Sequence, residues 1–213
     1  MSLEHPAKFL SETQEHFTPP HIVEAARSTL GRIELDPASC VEANRFVQAD
    51  RWIGLPDDGL AVEWSGRVFL NPPGGTFTPK RKQKTDPKPT ITPADKAHKS
   101  HYGTDSRATA WWFKLIEEFV AGRVSAAVFV GFNIEILRTG QHRRPSPLSF
   151  PICVPEERLC FGGDQPSHAN VIVGVGVEPV PFFDAFKDIG EVCVPAPLVV
   201  TAREQLSLLG GAA

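Results

Sequence analysis

The chain has 213 residues, the length of one domain or of one domain carrying an insertion. Apolar residues at 41% and charged residues at 22% exclude wholesale disorder and a collagen-like or coiled-coil chain. No apolar run approaches the roughly 18 residues needed to span a bilayer, and the formal net charge is only -3.

Residues 1–17 carry Glu4, His5, Lys8, Glu12 and Glu15 without an apolar core of the kind that directs secretion, and are expected to form a loosely held tail. With it goes an expected cytoplasmic location. Thr18-Pro19-Pro20 then reads as a helix start, Thr18 capping and Pro19 as first helical residue, followed by Ile22, Val23, Ala26 and Leu30 at helical spacing. Gly31 ends that helix. Ile33 to Asp36 is a short strand ending in an acid, Ala43 to Val47 a helical turn, and Leu55 to Gly59 a loop. Arg67 to Leu70 is an apolar strand that runs into Asn71-Pro72-Pro73-Gly74-Gly75, where two prolines must end pairing.

Residues 74–110 are polar, proline-interrupted and basic: eight Lys or Arg stand against three Asp, an excess of +5 that leaves -8 for the rest. This stretch predicts a long, mobile surface insertion within a domain spanning 18–213. Helical spacing returns from Ala108 to Ala121, with Trp112 in the core and Trp111 a partly buried surface ring, and Ser125 to Val130 is a strand covered on both faces. Leu148–Val154, Arg158–Phe161 and Asn170–Val177 read as further short strands. The order fits an open α/β sheet whose C-terminal part turns antiparallel, with helices on both faces. Ligands collect at the carboxyl ends of strands in such sheets, and both Asp36 and Asn71 are placed there.

The two positions suit different chemistry. Two prolines after Asn71 stiffen the backbone and remove two N–H donors, so the Asn71 amide oxygen and the Pro72 carbonyl are poised to accept the hydrogens of a planar amine. A plain strand-terminating turn carries equal weight for the motif alone. A carboxylate at Asp36, beside Pro37, Ala38 and Ser39, can approach an ammonium or a ribose, although Asp-Pro is also common in ordinary turns. The four cysteines (Cys40, Cys153, Cys160, Cys193) are spread singly, and His98 and His101 lack neighbours that would complete a metal site, so no metal is expected.

Thr18-Pro19-Pro20, Leu35-Asp36-Pro37-Ala38-Ser39 with Asn44, Asp57-Asp58-Gly59-Leu60, Trp64 and Val68-Phe69-Leu70-Asn71-Pro72-Pro73 occur in an order that resembles the phage-type DNA adenine methyltransferase family. Glu157 to Phe161 and Pro166 to Val171 resemble that family's closing strands. The resemblance covers roughly residues 17–175 outside the insertion. It implies a Rossmann-like class I methyltransferase fold, S-adenosylmethionine as cofactor, and methylation of the exocyclic amine of a flipped-out adenine in double-stranded DNA, in a bacterial or phage-infected cell. Asn71, Pro72 and Pro73 would be catalytic. Thr18, Pro19, Asp36, Pro37 and Ala38 would bind the cofactor, with Asp57 or Asp58 near its adenosine.

The family usually completes the catalytic tetrapeptide with Tyr or Phe, which stacks on the extruded base, whereas this chain has Gly74. Base stacking is worth about 1–3 kcal/mol, so another ring must substitute or target binding weakens. Phe77, Tyr102, Trp111 and Phe132 are the candidates. Gly74 also keeps alternatives open: an RNA base or protein amide as acceptor, or a weakened DNA-binding homologue. In the insertion, Lys80, Arg81, Lys82, Lys84 and Arg107 are expected to contact phosphates, against the plainer reading of a solvated charged loop.

Overall fold

The computed structural model describes residues 17–79, 90–141, 145–161 and 168–196. The expected tail therefore lies outside the described residues except for Phe17, as do Lys80, Arg81, Lys82 and Lys84. Five α-helices are described: α1 (Pro20–Leu30), α2 (Val41–Val47), α3 (Pro93–Tyr102), α4 (Arg107–Val120) and α5 (Pro179–Phe186). The strands are β1 (Leu35–Asp36), β2 (Arg51–Trp52), β3 (Gly66–Leu70), β4 (Val124–Gly131), β5 (Ile152–Pro155), β6 (Val171–Val175) and β7 (Gly190–Cys193). They form one seven-stranded sheet in the order β2-β1-β3-β4-β6-β5-β7.

The pairings β1–β2, β1–β3 and β3–β4 are parallel, and β4–β6, β6–β5 and β5–β7 are antiparallel. The fold is thus a mixed α/β sheet, parallel in its first part and antiparallel at its end, as the sequence predicts. Side chains alternate between the two faces with the period of two that a pleated strand imposes. Val68, Leu70, Ala127, Phe129 and Val173 pack with Trp112, Leu115 and Ile116 of α4. Phe69, Val128, Val130 and Ile172 pack on the other face with Ile22, Val23 and Ala26 of α1 and Phe182 and Phe186 of α5.

Several local expectations are corrected. Pro20, not Pro19, opens α1, and Pro19 occupies the capping position without any side-chain cap, so Thr18 does not cap the helix. The Pro19 carbonyl instead accepts from the amides of Ile22 and Val23. The expected loop over 74–110 contains a ten-residue helix, α3, whose cap is the Thr92 hydroxyl accepting from the Asp95 amide. A bridge between Thr76 and Ser106 closes the base of that insertion. Leu148–Val154 splits into a 3-10 turn (Pro147–Ser149) and β5, and Arg158–Phe161 is not a strand. Helix α5 and strands β2 and β7 carry no sequence pattern strong enough to predict them.

Side-chain bonds at the opposite end of α1 set its orientation. Arg67, near the start of β3, donates to the Leu30 carbonyl at the end of α1 (2.9 Å). Its backbone and Nε also donate to Glu34 just before β1 (2.7 and 3.1 Å). Together with Arg32, these bonds hold the Glu34 carboxyl down to about 2. They fasten the C-terminus of α1 to the amino edge of the sheet, which leaves Thr18 and Pro19 at the carboxyl edge.

Candidate functional site at the carboxyl edge

From β1 the chain moves outward to β2, and from β3 it moves the opposite way to β4, while β1 and β3 lie side by side. The strand order therefore reverses between β1 and β3. A crevice opens where two such connections diverge, and it is the place where open α/β sheets bind ligands. Asp36 is the last residue of β1 and Asn71 the first beyond β3. The register Leu35–Val68 sets Asp36 level with Phe69, so Asn71 stands two residues, about 7 Å, further along. Continued one residue past β3, the alternation puts Asn71 on the same face as Phe69 and Asp36.

Asp36 is 3% exposed, and no basic side chain pairs with it among the described residues. Burial pushes its carboxyl up to about 6, only partly opposed by the nearby Ser39 hydroxyl and the Ala38 amide. The amide donates to Oδ1 at 3.2 Å, whereas the buried Ser39 hydroxyl is near the carboxylate but outside hydrogen-bonding geometry. A buried acid without a counter-cation is costly unless something supplies one. Such a carboxyl, buried at a strand tip, is a candidate partner for a cationic ligand.

The Asp36–Ser39 turn is clasped by the loop that follows β2. Ile53 donates to the Asp36 carbonyl (2.9 Å) and Ser39 donates to the Ile53 carbonyl (2.8 Å). A Cβ on Gly54 would lie 2.2 Å from the Ser39 carbonyl oxygen, and one on Gly59 2.1 Å from that of Pro37. Only glycine permits these two approaches, and through them Pro37 and Ala38 are brought beside Asp57 and Asp58. The two acids differ: Asp57 is exposed, whereas Asp58 accepts from the Leu60 amide (3.0 Å) and pairs with His98 Nε2 on α3 (2.6 Å).

Of the rings that could stand in for the missing aromatic, three are excluded by burial. Phe77 is 0%, Tyr102 4% and Trp111 6% exposed. Trp111 is therefore not the partly exposed ring expected; it stacks on Trp64 at 5.6 Å, and Trp64 Nε1 donates to the Gly59 carbonyl. Phe132 is different. It is half-buried just beyond β4, and the Leu70–Phe129 register carries it to about the height of Pro73. Phe161 and His168 flank its ring at 5.5 and 4.7 Å. Asn170, buried, fixes this corner by donating to the Phe132 carbonyl and accepting from the Leu159 amide.

Pro72 is buried, and Asn71 is half-buried with its own partners. Gly74 has no heavy atom within 4 Å of where a Cβ would sit. Arg107 is engaged within the protein: it pairs with Asp95 (2.8 Å), lies 4.9 Å from the Phe77 ring centre and donates to the Thr76 carbonyl. Beyond this segment, a cleft of about 210 Å³ is lined by Thr104, Thr109, Glu135, Arg138 and Thr139.

Two further residues adjoin the site without a sequence signal for that role. Trp52, 36% exposed, ends β2 in register with Asp36 and offers an indole at the carboxyl edge. Two-residue strands give no periodicity, so nothing local marks it. His98 suggests at most a metal ligand in sequence; among the described residues no His, Cys, Asp or Glu group of three or more could hold a metal ion. Comparison with models of protein families, with curated proteins and with solved structures gave no match.

Proposed function

We propose that this protein is an S-adenosylmethionine-dependent methyltransferase acting on the exocyclic amine of adenine in double-stranded DNA. The observation that carries the reading is the arrival of Asp36 and Asn71 at the ends of the two strands that flank the switch point. The topology supports the class I form of the fold. Strand β6 is inserted antiparallel between β4 and β5, so β5 regains the direction of β4.

The residues fit the cofactor. A buried carboxylate without a basic partner among the described residues suits an amino acid ammonium, and Thr18 and Pro19 border the same edge at the start of α1. Asp57 is the acid open to ribose hydroxyls, since Asp58 is committed to His98 and Leu60; the Trp52 indole offers a face for a planar ring. When bound, the cofactor supplies an electrophilic methyl group on a sulfonium. Asn71 and the Pro72 carbonyl accept the two hydrogens of the adenine amine, which draws electron density onto nitrogen and aligns its lone pair. Phe132 supplies the ring at this edge that Gly74 lacks.

Incubating the protein with unmethylated DNA and methyl-labelled cofactor, then identifying the nucleoside, tests the assignment. Label in N6-methyladenine is the expected result. Label in RNA or protein alone would transfer the same grip to another planar amine, the reading that Gly74 favours. Tight DNA binding without cofactor binding would replace the enzyme by a DNA-binding homologue.

A further inference from the structure

We propose that His98 is a positioning residue, a latch by which α3 of the basic insertion holds the Gly54–Leu60 loop closed over the Asp36 turn. That this loop serves a cofactor rests on the methyltransferase reading; the latch itself does not. The bond from His98 Nε2 to Asp58 Oδ2 is 2.6 Å and joins residues forty apart in sequence. The His98 side chain is only 15% exposed, and its ring lies 6.0 Å from Phe77 and 6.4 Å from Tyr102, both buried. The ring, held in this way, loses little further freedom on bonding, while the Asp58 side chain is 41% exposed and is steadied by its own bond to the Leu60 amide.

Asp58 passes the constraint on. Its other oxygen accepts from the Leu60 amide, and its carbonyl accepts from the Ala61 amide (3.0 Å). Gly59, the next residue, abuts the Pro37 carbonyl so closely that no Cβ fits between them. A shift of Asp58 must therefore move Gly59 against the turn that carries Asp36. On its other side His98 touches Phe77, six residues after Asn71 and covered by Arg107. His98 thus stands between the proposed cofactor loop and the segment leaving the proposed catalytic turn.

The test uses the full chain carrying His98→Ala or His98→Gln, with Asp58→Asn approaching the same bond from the loop. Hydrogen exchange at the amides of Leu60 and Ala61 is read without ligand, and S-adenosylmethionine KM and kcat are read with DNA. The latch predicts exchange at these amides about tenfold faster in His98→Ala and in Asp58→Asn, and KM raised about tenfold with kcat within about twofold. His98→Gln, which can return a donor to Asp58, should restore most of both. Unchanged exchange in His98→Ala and Asp58→Asn overturns the latch, as does a fall in kcat at constant KM. Wild-type protein that fails to bind S-adenosylmethionine sinks the methyltransferase reading alone, because the exchange result still decides the latch.

Discussion

A carboxyl group taken out of water without a cation holds its proton to higher pH, and Asp36 does so to about 6 against an ordinary 3.8. A folded value above the unfolded one means a contribution to stability that is complete below pH 4 and lost as pH rises through 6. Asp36→Asn removes that loss. The variant is therefore expected to be more stable than the parent at pH 8, by about 3 kcal/mol, and equal to it near pH 3.5. Denaturant titrations at the two pH values measure this. The same variant should lose S-adenosylmethionine binding, and parent affinity should fall about tenfold per pH unit below 6, as the carboxylate proposed to hold the ligand ammonium is protonated.

Gly74 leads to the opposite kind of experiment, a gain. Open space surrounds its absent Cβ, so Gly74→Phe adds a ring beside the Asn71-Pro72-Pro73 turn without a clash at the first side-chain atom. If a base is extruded there, a second ring in addition to Phe132 should raise DNA affinity by about one order of magnitude or more; unchanged affinity in a filter-binding or anisotropy titration would place the base away from Gly74. At this scale what the sequence makes legible is the placement of the two candidate residues at strand ends. Asp36 and Asn71 announce themselves by the prolines that follow them, because proline ends pairing and exposes a strand tip. Burial is not legible: nothing local separates Phe77, Tyr102 and Trp111, which the core absorbs, from Phe132, which remains at the edge.

Among the elements, α3 escapes sequence reading for a physical reason. It is polar along most of its length and buries only Tyr102 fully, so it has no apolar stripe to reveal it. It is held through side chains: Arg107 bonded to Asp95, Lys99 to Asp105 (3.1 Å), and His98 to Asp58. Charge alone points Arg107 at phosphate, yet its guanidinium spans Asp95, Phe77 and the Thr76 carbonyl. Arg107→Ala is expected to cost about 1–2 kcal/mol and to raise exchange across α3 first. Loss of DNA affinity with unaltered stability and exchange would restore the phosphate role. Helix α5, with two prolines in its first turn, and the short β2 and β7 owe their form to the sheet they complete rather than to local pattern.

For the molecule as a whole, strand types are easier to read than strand neighbours. The continuous apolar run of β4 and the apolar end of β3 signal a sheet covered on both faces, by α4 on one side and α1 with α5 on the other. That β1 and β3 are adjacent, with the chain leaving them in opposite directions, depends on long-range pairing and on no single segment. This adjacency brings two separate strand tips to one edge of the sheet, where the proposed reading puts an acid for the cofactor and an amide clamp for the amine. The most direct measurement is calorimetric titration of S-adenosylmethionine into the parent, Asp36→Asn and Asn71→Ala proteins, beside methyl transfer to DNA by each. The parent should bind and transfer, Asp36→Asn should do neither, and Asn71→Ala should bind nearly as the parent does while losing transfer by at least about a hundredfold. Transfer undiminished in Asn71→Ala, or binding unchanged in Asp36→Asn, would contradict a shared site at the two strand ends.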